Sequence, residues 1–176
     1  MSRLRSLIHL LVLLVPWLPL QTSASPGYYP GSYYAAHVIR KGGELLPSDS
    51  TETGTRWEDY SVFRVKGDRI PAKAGHGLEV YADIYGMPAG DPVTLRVSRP
   101  VIQANGERGV HTMTRQQPLY ETDSFDVQVF NYIYFLDEPD ELVTGEWAIE
   151  LSHGDTLILR QTFEVYADLA TTKHKE

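Results

Sequence analysis

Residues 145–165, GEWAIELSHGDTLILRQTFEV, have a regular alternation of apolar and polar side chains. In its first half Trp147, Ile149 and Leu151 occupy every second position, with Ala148, Glu150 and Ser152 between them. After the turn formers SHGD, the same period continues, and the residues predicted to point inward are Leu157, Leu159, Phe163 and Val165. A period of two is the signature of a β-strand with one buried face. The segment therefore predicts an antiparallel hairpin that closes the domain.

Other parts of the chain repeat this alternation at short intervals. The further predicted strands lie at residues 35–41, 60–66, 78–85, 93–97 and 125–136. NGER, residues 105–108, predicts a hairpin turn with a strand on either side, and residues 42–56 read as a polar loop. No segment after the first 24 residues keeps apolar positions at helical spacing for three turns. Seven to nine short strands predict an all-β protein built as two antiparallel sheets packed face to face.

An immunoglobulin-like form of this sandwich is favoured by the corner before the hairpin. Gly145 follows an acidic turn and stands two residues before Trp147. In immunoglobulin-like sandwiches an aromatic residue occupies such a corner at the start of a late strand. The predicted fold class is therefore an immunoglobulin-like antiparallel β-sandwich.

The first 24 residues have the pattern of a cleavable export signal. Arg3 and Arg5 precede an apolar run of 14 residues at 7–20, and small residues at 21–25 place the cut after Ala24. The run is shorter than the ~20 residues of a spanning helix. We expect a periplasmic or secreted protein with four parts: a signal peptide (1–24), a Tyr/Gly/Pro-rich lead (25–34), the sandwich (35–168) and a polar tail (169–176).

Composition narrows the partners. The formal net charge is −7, and removing the leader with its two arginines makes it −9. An acidic chain without a basic stripe is a poor match for nucleic acid or anionic lipid. We therefore expect no nucleic-acid partner and no stable membrane insertion after signal removal. The absence of cysteine excludes disulfides, thiolate chemistry and cysteine-based zinc sites, and with a signal peptide it favours a bacterial source.

The order of several short motifs resembles a family of small exported bacterial immunoglobulin-like domains of unknown function. The motifs are IPA at 70–72, GMPAGDPVTL at 86–95, SRP at 98–100, GEW at 145–147 and FEV at 163–165. Thr144 stands where the family pattern has proline. The resemblance covers about residues 33–166, and it implies an exported β-sandwich with no activity, cofactor or catalytic residue to carry over.

The sequence contains no catalytic template that we can assign. It lacks a nucleophile elbow, a zinc-protease helix motif and a phosphate-binding loop. Trp57 beside Glu58 and Asp59, or His76 between two glycines, leaves open a carbohydrate-binding or hydrolytic alternative. The acidic loop at residues 137–141 leaves open a cation site. We predict no catalytic residue, no metal and no cofactor.

Partner binding is the function we expect. The strand at residues 125–136 is apolar on both faces, although an exposed face is ordinarily polar. We interpret Phe130, Tyr132 and Tyr134 as an outer aromatic face, either covered by residues 25–56 or offered to another envelope protein. A purely structural envelope role remains a second alternative.

Overall fold

The computed structural model describes residues 27–47, 55–88, 90–122 and 127–168, and within them all regular structure is β. The strands in chain order are β1 (Tyr29–Pro47), β2 (Thr55–Lys66), β3 (Arg69–Pro71), β4 (His76–Tyr85), β5 (Val93–Ile102), β6 (Arg108–Gln117), β7 (Tyr120–Glu121), β8 (Val127–Leu136), β9 (Gly145–His153) and β10 (Thr156–Tyr166). The prediction of seven to nine strands omits the two shortest, β3 and β7, because segments of two or three residues carry no readable period.

Two five-stranded sheets contain these strands. The first has the order β2-β1-β4-β8-β7 and the second the order β3-β10-β9-β5-β6. Neighbours are antiparallel except β3 and β10, which run parallel. The predicted all-β sandwich is confirmed, with this one parallel pair as a departure from a purely antiparallel arrangement.

The core lies between the two sheets. Its largest fully buried side chains are Trp147 from β9, Phe130 from β8 and Phe163 from β10, and alternate residues of β4 and β5 fill the space around them. Burial of this apolar surface is the main term that stabilises such a fold.

The closing hairpin forms as predicted but contains one irregularity. β9 and β10 pair around a turn at Gly154, and Trp147, Ile149 and Leu151 are fully buried. The register shifts between Leu157 and Leu159, which marks a β-bulge. The predicted inward position of Leu157 is therefore wrong, since it is 57% exposed while Ile158 is buried.

The prediction that residues 25–34 form a lead separate from the sandwich is wrong, because β1 begins at Tyr29 rather than near Ala35. Pro30 is tolerated where the β1–β4 register shifts, between Pro30 and Tyr33, since a bulge does not require its missing N–H. The ring of Tyr29 stacks on Tyr85 at 5.5 Å. These tyrosines lie on the domain and belong to its first sheet.

A long two-stranded ribbon replaces most of the loop predicted at residues 42–56. Residues 42–47 belong to β1, and residues 55–56 belong to β2; residues 48–54 lie outside the described residues. Gly42, Gly43 and Asp59 all have positive φ angles, a conformation that glycine adopts without strain. The pairing of β1 with β2 is interrupted here, between Gly42 opposite Tyr60 and Glu44 opposite Glu58. We call the outer part of the ribbon, residues 44–47 and 55–58, the ribbon tip.

The predicted signal peptide (1–24) and polar tail (169–176) fall outside the described residues. Among the residues that are described, no helix is long and apolar enough to span a membrane.

Candidate functional site

Strand β8 does not offer the outer aromatic face predicted for it. Phe130 and Tyr132 are buried in the core, with exposures of 1% and 6%, and Tyr134 is half-buried against Trp147 at 5.5 Å between ring centroids. These side chains point between the sheets because they share the face of β8 that packs on the second sheet. The expectation of an outer surface at Phe130, Tyr132 and Tyr134 is corrected accordingly.

One edge of β8 is nevertheless open. β4 pairs with β8 along its whole length, whereas β7 pairs only with Gln128 and Val129 on the other side. From Phe130 to Leu136, β8 therefore has no neighbour on that side among the strands that the structure describes. Seven extended residues span about 20 Å.

A groove of about 310 Å³ runs along this free edge. It is lined by four consecutive residues of β8, from Tyr132 to Phe135. Successive side chains of a strand point to opposite faces, so a cavity that contacts all four lies beside the edge of the strand and not over one face. The groove therefore gives access to the backbone of β8.

The ribbon tip forms one wall of this groove and is held by a clamp. Asp137 accepts two hydrogen bonds from Arg40, at 2.5 and 2.9 Å, and one from Trp57 Nε1 at 2.9 Å. The Arg40 guanidinium lies 3.4 Å from the centroid of the Trp57 ring and 5.1 Å from that of Phe135. Burial raises the pKa of Asp137, but the bonds from Arg40, Trp57 and the Gly75 N–H outweigh it and leave that pKa below its usual value.

Strand β6 forms the opposite wall. Met113 and Arg115 line the groove from this strand, on the face that is paired in register with the buried Val97 and Leu95 of β5. The Arg115 guanidinium lies 5.8 Å from the centroid of the Tyr132 ring. Among the described residues, no carboxylate forms an ion pair with Arg115.

The acidic turn closes one end of the groove. Glu141 is buried. Its carboxylate accepts hydrogen bonds from the hydroxyl of Tyr134 and from the backbone N–H groups of Asp137 and Glu138. Burial, followed by the bond to Glu141, raises the pKa of Tyr134. Asp140 pairs with Arg99 at 2.7 Å. Three of the four carboxylates that suggested a cation site are thus used internally, and the described residues contain no group of three side chains suited to a metal ion.

A deeper cavity of about 220 Å³ continues from the groove, since the two share Met113, Tyr132 and Tyr134 as lining residues. Trp147 and Arg99 line its inner end. The indole N–H of Trp147 is buried and has no hydrogen-bond partner among the residues described. An unsatisfied buried donor is uncommon in folded proteins.

A second constellation, the pair of His37 and His76, could not be predicted from the spacing of the histidines in the sequence. Strands β1 and β4 bring His37 Nε2 within 2.8 Å of His76 Nδ1, with the rings close to coplanar at 19°. Burial lowers the pKa of both rings. The pKa of His37 falls further because its protonated form would be repelled by a protonated His76, and the pKa of His76 falls further through Lys73, an effect that Asp168 partly opposes. The pair is therefore neutral at pH 7, sharing one N–H···N bond.

The groove does not bring together the residues of the carbohydrate-binding or hydrolytic alternative. Trp57 lines the groove, but its indole N–H donates a hydrogen bond to Asp137 and its ring is stacked against the Arg40 guanidinium. His76 is not among the groove residues and contacts His37 instead.

Comparison with known proteins adds a structural likeness. No family model and no curated protein matches the sequence. The fold is similar to that of an immunoglobulin-like protein from Pseudomonas aeruginosa, with a TM-score of 0.49 and 20% sequence identity over 81% of this chain and 99% of that chain. The resemblance to an exported bacterial family stays a prediction.

Proposed function

We propose that this protein is an exported immunoglobulin-like binding module, which takes up an extended segment of another polypeptide along the free edge of β8. The observation that carries the proposal is the groove lined by four consecutive β8 residues, Tyr132 to Phe135. A strand edge presents unpaired N–H and C=O groups, and an added strand satisfies them while its alternate side chains enter flanking pockets.

The two walls favour a single extended segment over a second sheet. The ribbon tip and β6 stand on either side of the edge, so a flat sheet edge cannot approach as closely as one strand can. The clamp of Arg40, Trp57 and Asp137 holds one wall in place. A preformed groove reduces the entropy that binding would otherwise lose in ordering the site.

The proposal of export rests on residues 1–24, whose basic start, apolar run and small-residue end have the pattern of a cleaved leader. The partner is then another protein of the envelope or the exterior. Mass spectrometry of the protein from a fractionated producing cell tests this step. A mature N-terminus at Ser25 in the periplasmic or secreted fraction supports it, and an intact Met1 in the cytoplasm contradicts it.

The binding role is tested with displayed random dodecapeptides selected on the folded protein. Met113→Trp narrows the groove, and Val110→Trp adds the same ring on the outer face of β6, where Val110 is 72% exposed. We expect selected peptides to bind the Met113 variant at least about tenfold more weakly and the Val110 variant within about twofold, because only the first blocks the lined pockets. Equal affinities for the two variants, or the failure of any peptide to be enriched, would contradict the proposal.

A further inference from the structure

We infer that the bound segment carries an acidic side chain opposite Arg115 and an apolar side chain two residues away, against Met113. This inference rests on the proposed strand addition and specifies the chemistry of its occupant. It is drawn from the charges and spacing of the side chains along the β6 wall.

Among the described residues that line the groove, Arg115 is the cation without a carboxylate in an ion pair. Arg56 also lines the groove, but it pairs with Glu58, and Arg99 in the deeper cavity is bonded to Asp140. The guanidinium of Arg115 lies against the Tyr132 ring and has no carboxylate in an ion pair within the described part of the chain. An incoming carboxylate supplies the opposite charge that this position lacks.

The acidic turn at the other end of the groove determines where an acidic side chain of the ligand can bind. Glu138 lies at the acidic turn and lines both the groove and the deeper cavity. A carboxylate placed there would meet like charge, whereas one placed beside Arg115 would meet a cation. The electrostatics therefore favour the acid at the Arg115 end.

The spacing follows from strand geometry. Met113 and Arg115 are two residues apart on the same face of β6, and a strand running alongside presents its own inward side chains at the same interval. Met113, Tyr132 and Tyr134 form an apolar patch there. The pattern expected in the ligand is thus acid, any residue, apolar residue, in one direction along the chain.

A charge swap tests this inference on the most strongly enriched dodecapeptide. In fluorescence anisotropy, Arg115→Glu should weaken its binding about tenfold, because attraction is replaced by repulsion at a partly exposed pair. Replacing the peptide's acidic residue by lysine should restore binding to the variant. Arg160→Glu, on the exposed face of β10, is the matched control and should change affinity less than about twofold.

The outcomes separate the two proposals. If peptides bind in the groove but lack the acidic residue, or if Arg115→Glu changes affinity no more than Arg160→Glu does, the inferred chemistry is wrong while strand addition stands. If no peptide is enriched, or if binding ignores Met113→Trp, both fail.

Discussion

Removing the carboxylate of Asp137 tests whether the clamp of Arg40, Trp57 and Asp137 stabilises the fold. The Arg40 side chain is 10% exposed and the Asp137 side chain 23% exposed, and Asp137 also accepts bonds from Trp57 and Gly75. Breaking a buried ion pair by removing one partner costs about 3–5 kcal/mol, since the other charge stays buried without compensation. Because Asp137 is partly exposed, we expect Asp137→Ala to lower the free energy of unfolding by about 3 kcal/mol.

A double substitution that removes both charges distinguishes the loss of the ion pair from the cost of leaving one charge buried. Arg40→Met combined with Asp137→Leu leaves no buried charge, and apolar replacements of both partners are often close to neutral. The double variant should therefore be more stable than Asp137→Ala. It should also lose about 2 kcal/mol less than the summed losses of the single variants Arg40→Met and Asp137→Leu, which is the coupling between the two sites. Urea denaturation at pH 7 with a linear extrapolation measures each variant. A loss below about 1 kcal/mol for the single change, or simple additivity in the double variant, would refute the clamp.

Two further perturbations probe the packing and the histidine pair. A Cβ on Gly77 would lie 1.9 Å from the carbonyl oxygen of Tyr134, so Gly77→Ala should destabilise the fold by about 3 kcal/mol; Gly27→Ala, with no atom within 4 Å, should be neutral in the same thermal melts. Since the pKa values of His37 and His76 are lowered in the folded state, unfolded chains bind more protons below about pH 6.5 and stability falls as the pH falls through the folded pKa values. His76→Gln should make the urea midpoint fall less between pH 7 and pH 5 than it does in the unchanged protein. An equal fall in both proteins would contradict a role of the histidine pair in this pH dependence.

The closing hairpin was predictable because its alternation has one physical cause, the burial of every second residue. Trp147, Ile149 and Leu151 follow that rule. Leu157 departs from it because the bulge after it inserts an extra residue, and in LIL, residues 157–159, all side chains are apolar. Hydrophobicity alone therefore does not determine the register of β10 on β9 at these residues.

The groove was beyond prediction for a different reason. Strand β8 is apolar on both faces, so its sequence does not say which face packs inward, and the predicted outward position of Tyr132 is wrong. The free edge depends on β7 being only two residues long, and the pair of His37 and His76 depends on the register of β1 on β4. Both are properties of strand pairing across long separations.

Backbone hydrogen exchange of β8 in the presence of a selected peptide shows whether a strand is added at its free edge. Strand addition predicts that exchange slows at amides between Phe130 and Leu136. The amides of residues 61–66 in β2, which is the opposite edge strand and does not line the groove over this part, should keep their rates. Protection confined to residues 61–66, or unchanged exchange in β8 at saturating peptide, would contradict the assignment of the binding site.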